Sequence, residues 1–476
     1  MKVLFASAEC YPVAKVGGLA DVVGSLPKYL QKSGVETHVV IPGYIMPWFE
    51  NKLYKIVHYG HYNNANETVH FEVRYYIEDL LGFPFYTIYI PGKFDRYGVY
   101  ADKNGYYFQD EIERNIAFQR SLLMWLRDNP AMRPDILHCH DHHTGLTPFL
   151  KQYAYEFESI RHIPIVFTIH NERYQGAFSW TRSHLLPHYD NWKTGLLDWN
   201  NTINPLASAV RVSHRVTTVS PNYMNELMYN SFGLESLFQT ESWKCTGILN
   251  GIDNETWDPS TDPMLEHHLK KDVVEFKKKN KLALCKKANL NPDLPLYGFI
   301  GRLVYEKGAD QLTSLIYNWL AHHDNANFIV LGTGDKGIEN DLTQLAYSFP
   351  SNVASMLAYN EALAHQIYAG SDYLLMPSRV EPCGLNQMFA MRYGTLPIVR
   401  TTGGLKDSVR DLSEDHGVGI RFDHLNIQDM SHAMFRSYKV YEQTAYKNGL
   451  VEKAMNLDFS WDVSAKKYIE IYQSLL

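Results

Sequence analysis

Cysteine is scarce and scattered in this chain. Cys10, Cys139, Cys245, Cys285 and Cys383 are odd in number and form no Cys-x-x-Cys pair, which argues against a disulfide framework and makes the cytoplasm the expected compartment. No apolar run approaches the roughly 18 residues of a membrane-spanning helix. The apolar start at Lys2–Ala8 is broken by Glu9, which suits a first strand better than a secretory leader. An excess of one charge is missing too. The 45 Lys and Arg against 52 Asp and Glu leave a formal net charge of −7 over 476 residues, so neither nucleic acid nor a membrane surface is an expected partner. There is no fixed-period repeat and no low-complexity tract. The sequence has no Gly-x-Ser-x-Gly elbow and no His-Glu-x-x-His or Asp-x-Asp pair, which leaves hydrolase and metalloprotease readings unsupported. What it has in quantity is aromatic rings, 33 Tyr, 22 Phe and 9 Trp, a composition that suits carbohydrate stacking but serves a core equally well.

The length fits two large α/β domains. Lys2–Ala8, a helical pattern over Leu19–Lys32 and the run His38–Ile41 make a β-α-β unit, which implies parallel pairing. Similar runs follow at Ile136–His138, Ile165–Ile169 and Val216–Val219, while Asn51–Tyr107 reads as inserted hairpins. A second series, Leu296–Ile300, Asn327–Leu331, Asn352–Leu357, Tyr373–Met376 and Leu396–Val399, predicts another doubly wound domain. The expected division is 1–246, 247–458 and a terminal helix at 459–476. The eight lysines of His267–Lys287 are expected on a solvated helix face.

Chemistry concentrates where strands give way to helices. Lys15-Val-Gly17-Gly18-Leu follows the first strand; glycines there bare backbone N–H groups at a helix N-terminus, which favours an anion, and Lys15 adds a point charge. A tight turn is the alternative reading. Glu381-Pro-Cys383-Gly384-Leu385 and Thr402-Gly-Gly-Leu405 are each expected to open a helix after a strand, repeating the pattern. Arg302 and Lys307, after Leu296–Ile300, are a cation pair able to neutralise a diphosphate leaving group; a surface pair with Glu306 is the alternative. In His138-Cys-His-Asp141-His-His143, strand alternation would put His138, His140 and His142 on one face, mimicking a metal site, although no metal is expected there. Asp141 would accept from a substrate hydroxyl. His170 is a second strand-end histidine, functional or simply a core imidazole.

These segments together resemble the bacterial glycogen synthases and plant starch synthases, the family 5 glycosyltransferases. The likeness runs from Lys15-Val-Gly-Gly-Leu-Ala-Asp21 through Thr168–Asn171, Thr218–Pro221 and Asn250-Gly-Ile-Asp253. It continues in Arg302…Lys307-Gly308, Tyr359-Asn-Glu361, Glu381–Leu385 and Thr402–Leu405. The resemblance implies two Rossmann-like domains facing a central cleft (the GT-B type), with a C-terminal helix crossing back to the first. It implies a retaining glucosyltransferase moving glucose from ADP-glucose, or UDP-glucose, to an α-1,4-glucan such as glycogen, with no cofactor. A small-acceptor transferase and an inactive glucan-binding homologue are the rival readings. By the same resemblance Arg302 and Lys307 hold the diphosphate, helped by the Gly17, Gly18, Gly384 and Leu385 amides. Glu381 and His170 position the sugar, and Tyr359 stacks on the base. Cys383 belongs to the donor loop and Lys15 to the phosphate edge. Asn250, Asp21, Tyr100 and Asp141 face donor or acceptor hydroxyls. Three positions depart from the family pattern: His142 (usually Trp), Ala207-Ser-Ala209, and Glu306 (more often Gln).

Overall fold

Parallel strands buried on both faces read as near-continuous apolar runs, and the runs above become the centres of two sheets. The computed structural model describes residues 1–64 and 67–476; residues 65 and 66, inside the segment expected to form hairpins, lie outside it. Its chain separates into one unit of Met1–Val219, Met224–Ile248 and Trp461–Leu476, and another of Ser220–Tyr223 and Leu249–Ser460. No helix among the described residues is long and apolar enough to cross a membrane.

The first unit contains β1 (Lys2–Ala6), β2 (Glu36–Pro42), β3 (Tyr54–Asn64), β4 (Glu67–Tyr76), β5 (Phe85–Tyr89), β6 (Ile136–His140), β7 (Ile165–Ile169), β8 (Asp198–Trp199), β9 (Thr202–Ile203), β10 (Arg215–Thr218) and β11 (Cys245–Gly247). Apart from the β8–β9 ribbon they form one sheet in the order β11-β10-β7-β6-β1-β2-β5-β4-β3. The hairpin expectation holds only for β3 and β4. Strand β5 instead pairs parallel with β2 and antiparallel with β4, because Phe85, Tyr86 and Ile88 are buried like any central strand. The remainder, up to Tyr107, is a loop that delivers Tyr100.

Helix α1 (Gly18–Lys32) buries Leu19, Val22, Val23, Leu26 and Leu30 at helical spacing. Pro27 lies inside it and cannot donate to the Val23 carbonyl; the buried Cys10 thiol meets that carbonyl at 3.8 Å. The C-terminal helix Trp461–Gln473 packs on α1 with Trp461, Ala465, Tyr468 and Tyr472 buried. The Tyr472 hydroxyl bonds His138 Nδ1 at 2.7 Å, His138 Nε2 bonds the Thr168 hydroxyl at 2.6 Å, and Thr168 bonds Thr217 at 2.6 Å. A polar chain thus ties the last helix to β6, β7 and β10.

The second unit contains β12 (Leu296–Ile300), β13 (Asn327–Leu331), β14 (Val353–Met356), β15 (Tyr373–Met376), β16 (Leu396–Arg400) and β17 (Ile420–Phe422). They are all parallel, in the order β14-β13-β12-β15-β16-β17. Here one expectation is corrected. Of the eight lysines in His267–Lys287, two turn inward. Lys277 donates to the Tyr368 and Tyr393 carbonyls and the Thr395 hydroxyl, and Lys281 pairs with the buried Asp372 at 2.7 Å. Burial alone would raise the Asp372 pKa, but Lys447 and Lys281 override it and hold the group down at about 2.

Removing the Tyr472 hydroxyl should leave a buried imidazole nitrogen unbonded. Tyr472→Phe is expected to lower the unfolding free energy by about 1–3 kcal/mol, read from denaturant midpoints at constant slope. Unchanged stability would show that His138 does not depend on this partner.

Candidate active site

Among the parallel strands of each sheet the order reverses once, and ligands of open α/β sheets bind outside the carboxyl ends of the strands at that point. In the first sheet the reversal falls between β1 and β6, in the second between β12 and β15. The loops leaving these four strands carry most of the residues singled out above.

After β1 the chain makes a turn organised by a residue that the sequence reading passed over except as a strand breaker. Glu9 is buried, and its Oε2 accepts from the Val16 and Gly17 amides at 2.6 and 2.8 Å. Its Oε1 accepts from the Tyr100 hydroxyl at 2.7 Å. Burial raises the Glu9 pKa although these three donors favour the anion. The Gly17 amide therefore does not stand bare for a ligand, contrary to expectation. What Gly17 and Gly18 provide is space, since no atom lies within 4 Å of a Cβ built at either. Lys15 and Asp21 form an ion pair at 2.7 Å beside this turn.

After β6, Asp141 has φ +55° and ψ 178°, a left-handed backbone rarely adopted by a residue with a side chain. This kink ends the strand alternation, so His142 leaves the face shared by His138 and His140 and enters a turn with His143; the expected three-histidine face does not form. The Asp141 carboxylate accepts from the His170 amide at 2.7 Å. Burial pushes its pKa up to about 7 despite the His170 and Asn171 amides, and the charges of Glu9 and Glu172 add to the rise. The His143 ring stacks on Tyr100 at 4.7 Å, and His170 Nε2 lies 3.0 Å from His140 Nδ1. Burial lowers the pKa of His138 and of His170 to about 3, and His140 and His143 move the same way for the same reason. All four are neutral imidazoles at pH 7.

In the second unit, Lys307 Nζ bonds both oxygens of the buried Glu381 carboxylate at 2.7 Å, and the Ser378 hydroxyl donates to it at 2.9 Å. Glu381 does not open a helix: it sits in a turn, and the helix begins at Asn386. Arg302 has a solvent-exposed side chain 3.8 Å from Glu306, and Tyr359 projects into solvent just after β14, 84% exposed. Asn250 is buried with its Oδ1 unpartnered. Its amide faces Cys383, a buried thiol whose pKa burial drives well above the usual range, so Cys383 is no nucleophile.

The glycines of Thr402–Leu405 do different work from that expected. A Cβ on Gly403 would lie 1.9 Å from the Glu381 carbonyl oxygen, and one on Gly404 2.2 Å from that of Cys383. They let this helix press against the Glu381 turn and support it. A further signal escaped the sequence reading. Gly332-x-Gly334-x-x-Gly337 follows β13 and enters a helix, the spacing of a nucleotide-binding turn. Here it seats the Arg302 loop, with the Leu303 amide donating to the Thr333 carbonyl at 2.9 Å and a Gly332 Cβ excluded by the Gly301 carbonyl oxygen at 1.9 Å.

Residues 2–240 match the model of the starch synthase catalytic domain, and residues 280–440 that of the group 1 glycosyl transferases. A glycogen synthase from Flavobacterium johnsoniae is 45% identical over 478 residues, covering 100% of this chain and 99% of that protein. One from Streptococcus sanguinis is 37% identical, with 100% of each chain covered. The chain belongs to the glycogen and starch synthase family. The catalytic domain of starch synthase IV from Arabidopsis thaliana, solved with ADP and acarbose, superposes with a TM-score of 0.87 at 34% identity, covering 100% of this chain and 99% of that one. A sucrose-phosphate synthase from Thermosynechococcus elongatus matches at a TM-score of 0.60 and 15% identity, covering 100% of this chain and 98% of that one, which shows the shared fold alone. The fold is thus of the GT-B class. As a member of the glycogen synthase family the chain is a glucosyltransferase of glycogen synthesis, with a nucleotide sugar as donor and a glucan as acceptor.

The environment of Asp141 gives a pH-dependent expectation. Its pKa of about 7 in the folded protein exceeds the unfolded value of about 3.9. Over that interval the folded state binds the extra proton, so this group's contribution to stability falls as pH rises toward 7 and is flat above it. Asp141→Asn keeps the acceptor for the His170 amide and removes the charge. It should raise Tm more at pH 8 than at pH 5, measured by calorimetry. The same Tm difference at both values would contradict the raised pKa.

Proposed function

We propose that this member of the family transfers glucose, with retention at the anomeric carbon, from ADP-glucose to the non-reducing end of an α-1,4-glucan. The observation that carries the reading is the Glu381 carboxylate, buried and gripped by Lys307 and Ser378 beside the reversal of the second sheet. A buried ion pair is weak evidence for stability; at a strand end it is better explained as a prepositioned charge.

In the step itself the bond from the anomeric carbon to the diphosphate oxygen breaks and the electron pair leaves with the diphosphate. The acceptor hydroxyl attacks from the same face and gives its proton to the departing phosphate oxygen. Arg302 and Lys307 neutralise the charge that develops there, aided by the Gly384 and Leu385 amides. Cationic groups fixed before the reaction act without reorganisation. In the second unit Glu381 holds the sugar ring; in the first, His170 is a neutral imidazole able to bond a sugar hydroxyl. Tyr359 stacks on the base, and the unpartnered Asn250 Oδ1 accepts from a donor hydroxyl beside Cys383. Gly17 and Gly18 give the donor room to approach, and Asp21, Tyr100 and Asp141 meet the acceptor. Preference for adenine rests on likeness to the Arabidopsis enzyme solved with ADP, since a tyrosine ring stacks on any base. The compartment we infer is the cytoplasm, in keeping with five free cysteines.

Three measurements test this. Glu381→Ala should lower turnover on glycogen by orders of magnitude with the fold retained, and Arg302→Ala and Lys307→Ala should each lose ~3 kcal/mol of transition-state stabilisation, roughly 100-fold in rate. Near-normal turnover in a folded Glu381→Ala enzyme would remove that residue from the mechanism. In a donor panel scored by nucleoside diphosphate release, kcat/KM should be higher for ADP-glucose than for UDP-glucose, and saturating EDTA should leave the rate nearly unchanged. A preference for UDP-glucose would overturn the donor assignment; abolition of the rate by EDTA, restored by one metal, would overturn the charge argument.

A further inference from the structure

Beside the catalytic loops, the first unit holds a cluster that group transfer does not use. Helix α2 (Glu111–Asp128) begins next to the turn that follows β6. Glu111 Oε1 lies 3.1 Å from His142 Nε2, and the His142 and His143 rings are 3.8 Å apart between centroids. One ligand atom from each of the three residues falls within 4.8 Å of the others, the one such group among the described residues. Both histidines are buried, and Nδ1 of each lacks a hydrogen-bond partner. Two buried ring nitrogens without partners are a cost that a bound group would relieve.

We propose that Glu111, His142 and His143 form a binding site for a divalent cation of the zinc type, which clamps the start of α2 to the turn after β6 and takes no part in glucosyl transfer. Two imidazoles and one carboxylate are the donor set of Zn²⁺ and of its neighbours Co²⁺ and Ni²⁺, whereas Mg²⁺ and Ca²⁺ require oxygen ligands. His143 is already in the neutral form that a metal needs, because burial and the nearby His142 and Arg114 disfavour its charge. Tetrahedral ligands at about 2.1 Å from the ion lie about 3.4 Å from one another. The cluster must therefore contract, and the Glu111 side chain, 54% exposed, is free to move. A cleft of about 330 Å³ lined by Tyr107, Phe108, Glu111, His142 and Phe178 opens on the same residues, giving an entry path and room for a water in the fourth position.

The test uses the full-length protein stripped with EDTA and titrated with ZnCl₂ or CoCl₂. One equivalent should bind per chain, Co²⁺ should develop the intense visible absorption of a tetrahedral imidazole site, and Zn²⁺ should raise Tm with rising concentration. Glu111→Gln and His142→Phe, the latter keeping a ring in place, should each weaken binding by roughly 10–100-fold while the metal-free Tm stays near that of the parent. Turnover of the parent should be the same before and after stripping. Absence of one-equivalent binding, featureless Co²⁺ spectra, or affinity unchanged in both variants would overturn the site. Loss of turnover on stripping would overturn its separation from the chemistry.

Discussion

A carboxylate taken out of water must find donors or a counter-charge, and three of them at strand ends govern this molecule. Glu9 gathers two loop amides and a tyrosine hydroxyl. Asp141 is met by backbone amides at the end of β7, and Glu381 is held by a lysine and a serine. Desolvating a carboxylate costs several kcal/mol unless it is bonded, so each one fixes the loop that supplies its partners. The loops after β1, β6, β12 and β15 are thereby shaped before any substrate arrives, which is what electrostatic catalysis requires.

The histidines show the opposite use of burial. His138 and His140 stack at 4.3 Å and are kept neutral by desolvation, so they serve as flat polar spacers rather than acids or bases. His138 links the C-terminal helix to the centre of the first sheet through Tyr472 and Thr168. The last residues of the chain thus stabilise the strand whose end carries Asp141, and a core requirement and a site requirement meet in one short segment.

Glycines divide along similar lines. Gly17 and Gly18 leave open space, whereas Gly332, Gly403 and Gly404 sit where a methyl group would strike a carbonyl oxygen. The first kind leaves the turn after β1 uncovered. The second lets one loop rest on another, and so holds Arg302 and Glu381 from behind. Phe389 has a comparable supporting place, stacked on Trp257 at 3.6 Å within the core of the second unit.

Local pattern determined a good deal here. Strand runs such as Ile165–Ile169, Leu296–Ile300 and Tyr373–Met376 were legible because a buried parallel strand is apolar on both faces. The Glu-Pro-Cys-Gly turn was legible because Gly384 takes a positive φ of +72° that few other residues tolerate, and Lys-x-Gly-Gly was legible by its place between a strand and a helix. Glu9 was not legible as an organiser, since its partner Tyr100 lies 91 residues away and no spacing rule connects them. Nor was the inward turn of Lys277 and Lys281, whose surroundings come from strands and helices distant in sequence. The histidine run was misread because alternation assumes a continuing strand, and the backbone at Asp141 turns left-handed instead. Sequence alone determined most of the buried parallel strands and the turns that follow them. Partnership, burial and the protonation of each buried group were decided only when the tertiary fold removed water from around them.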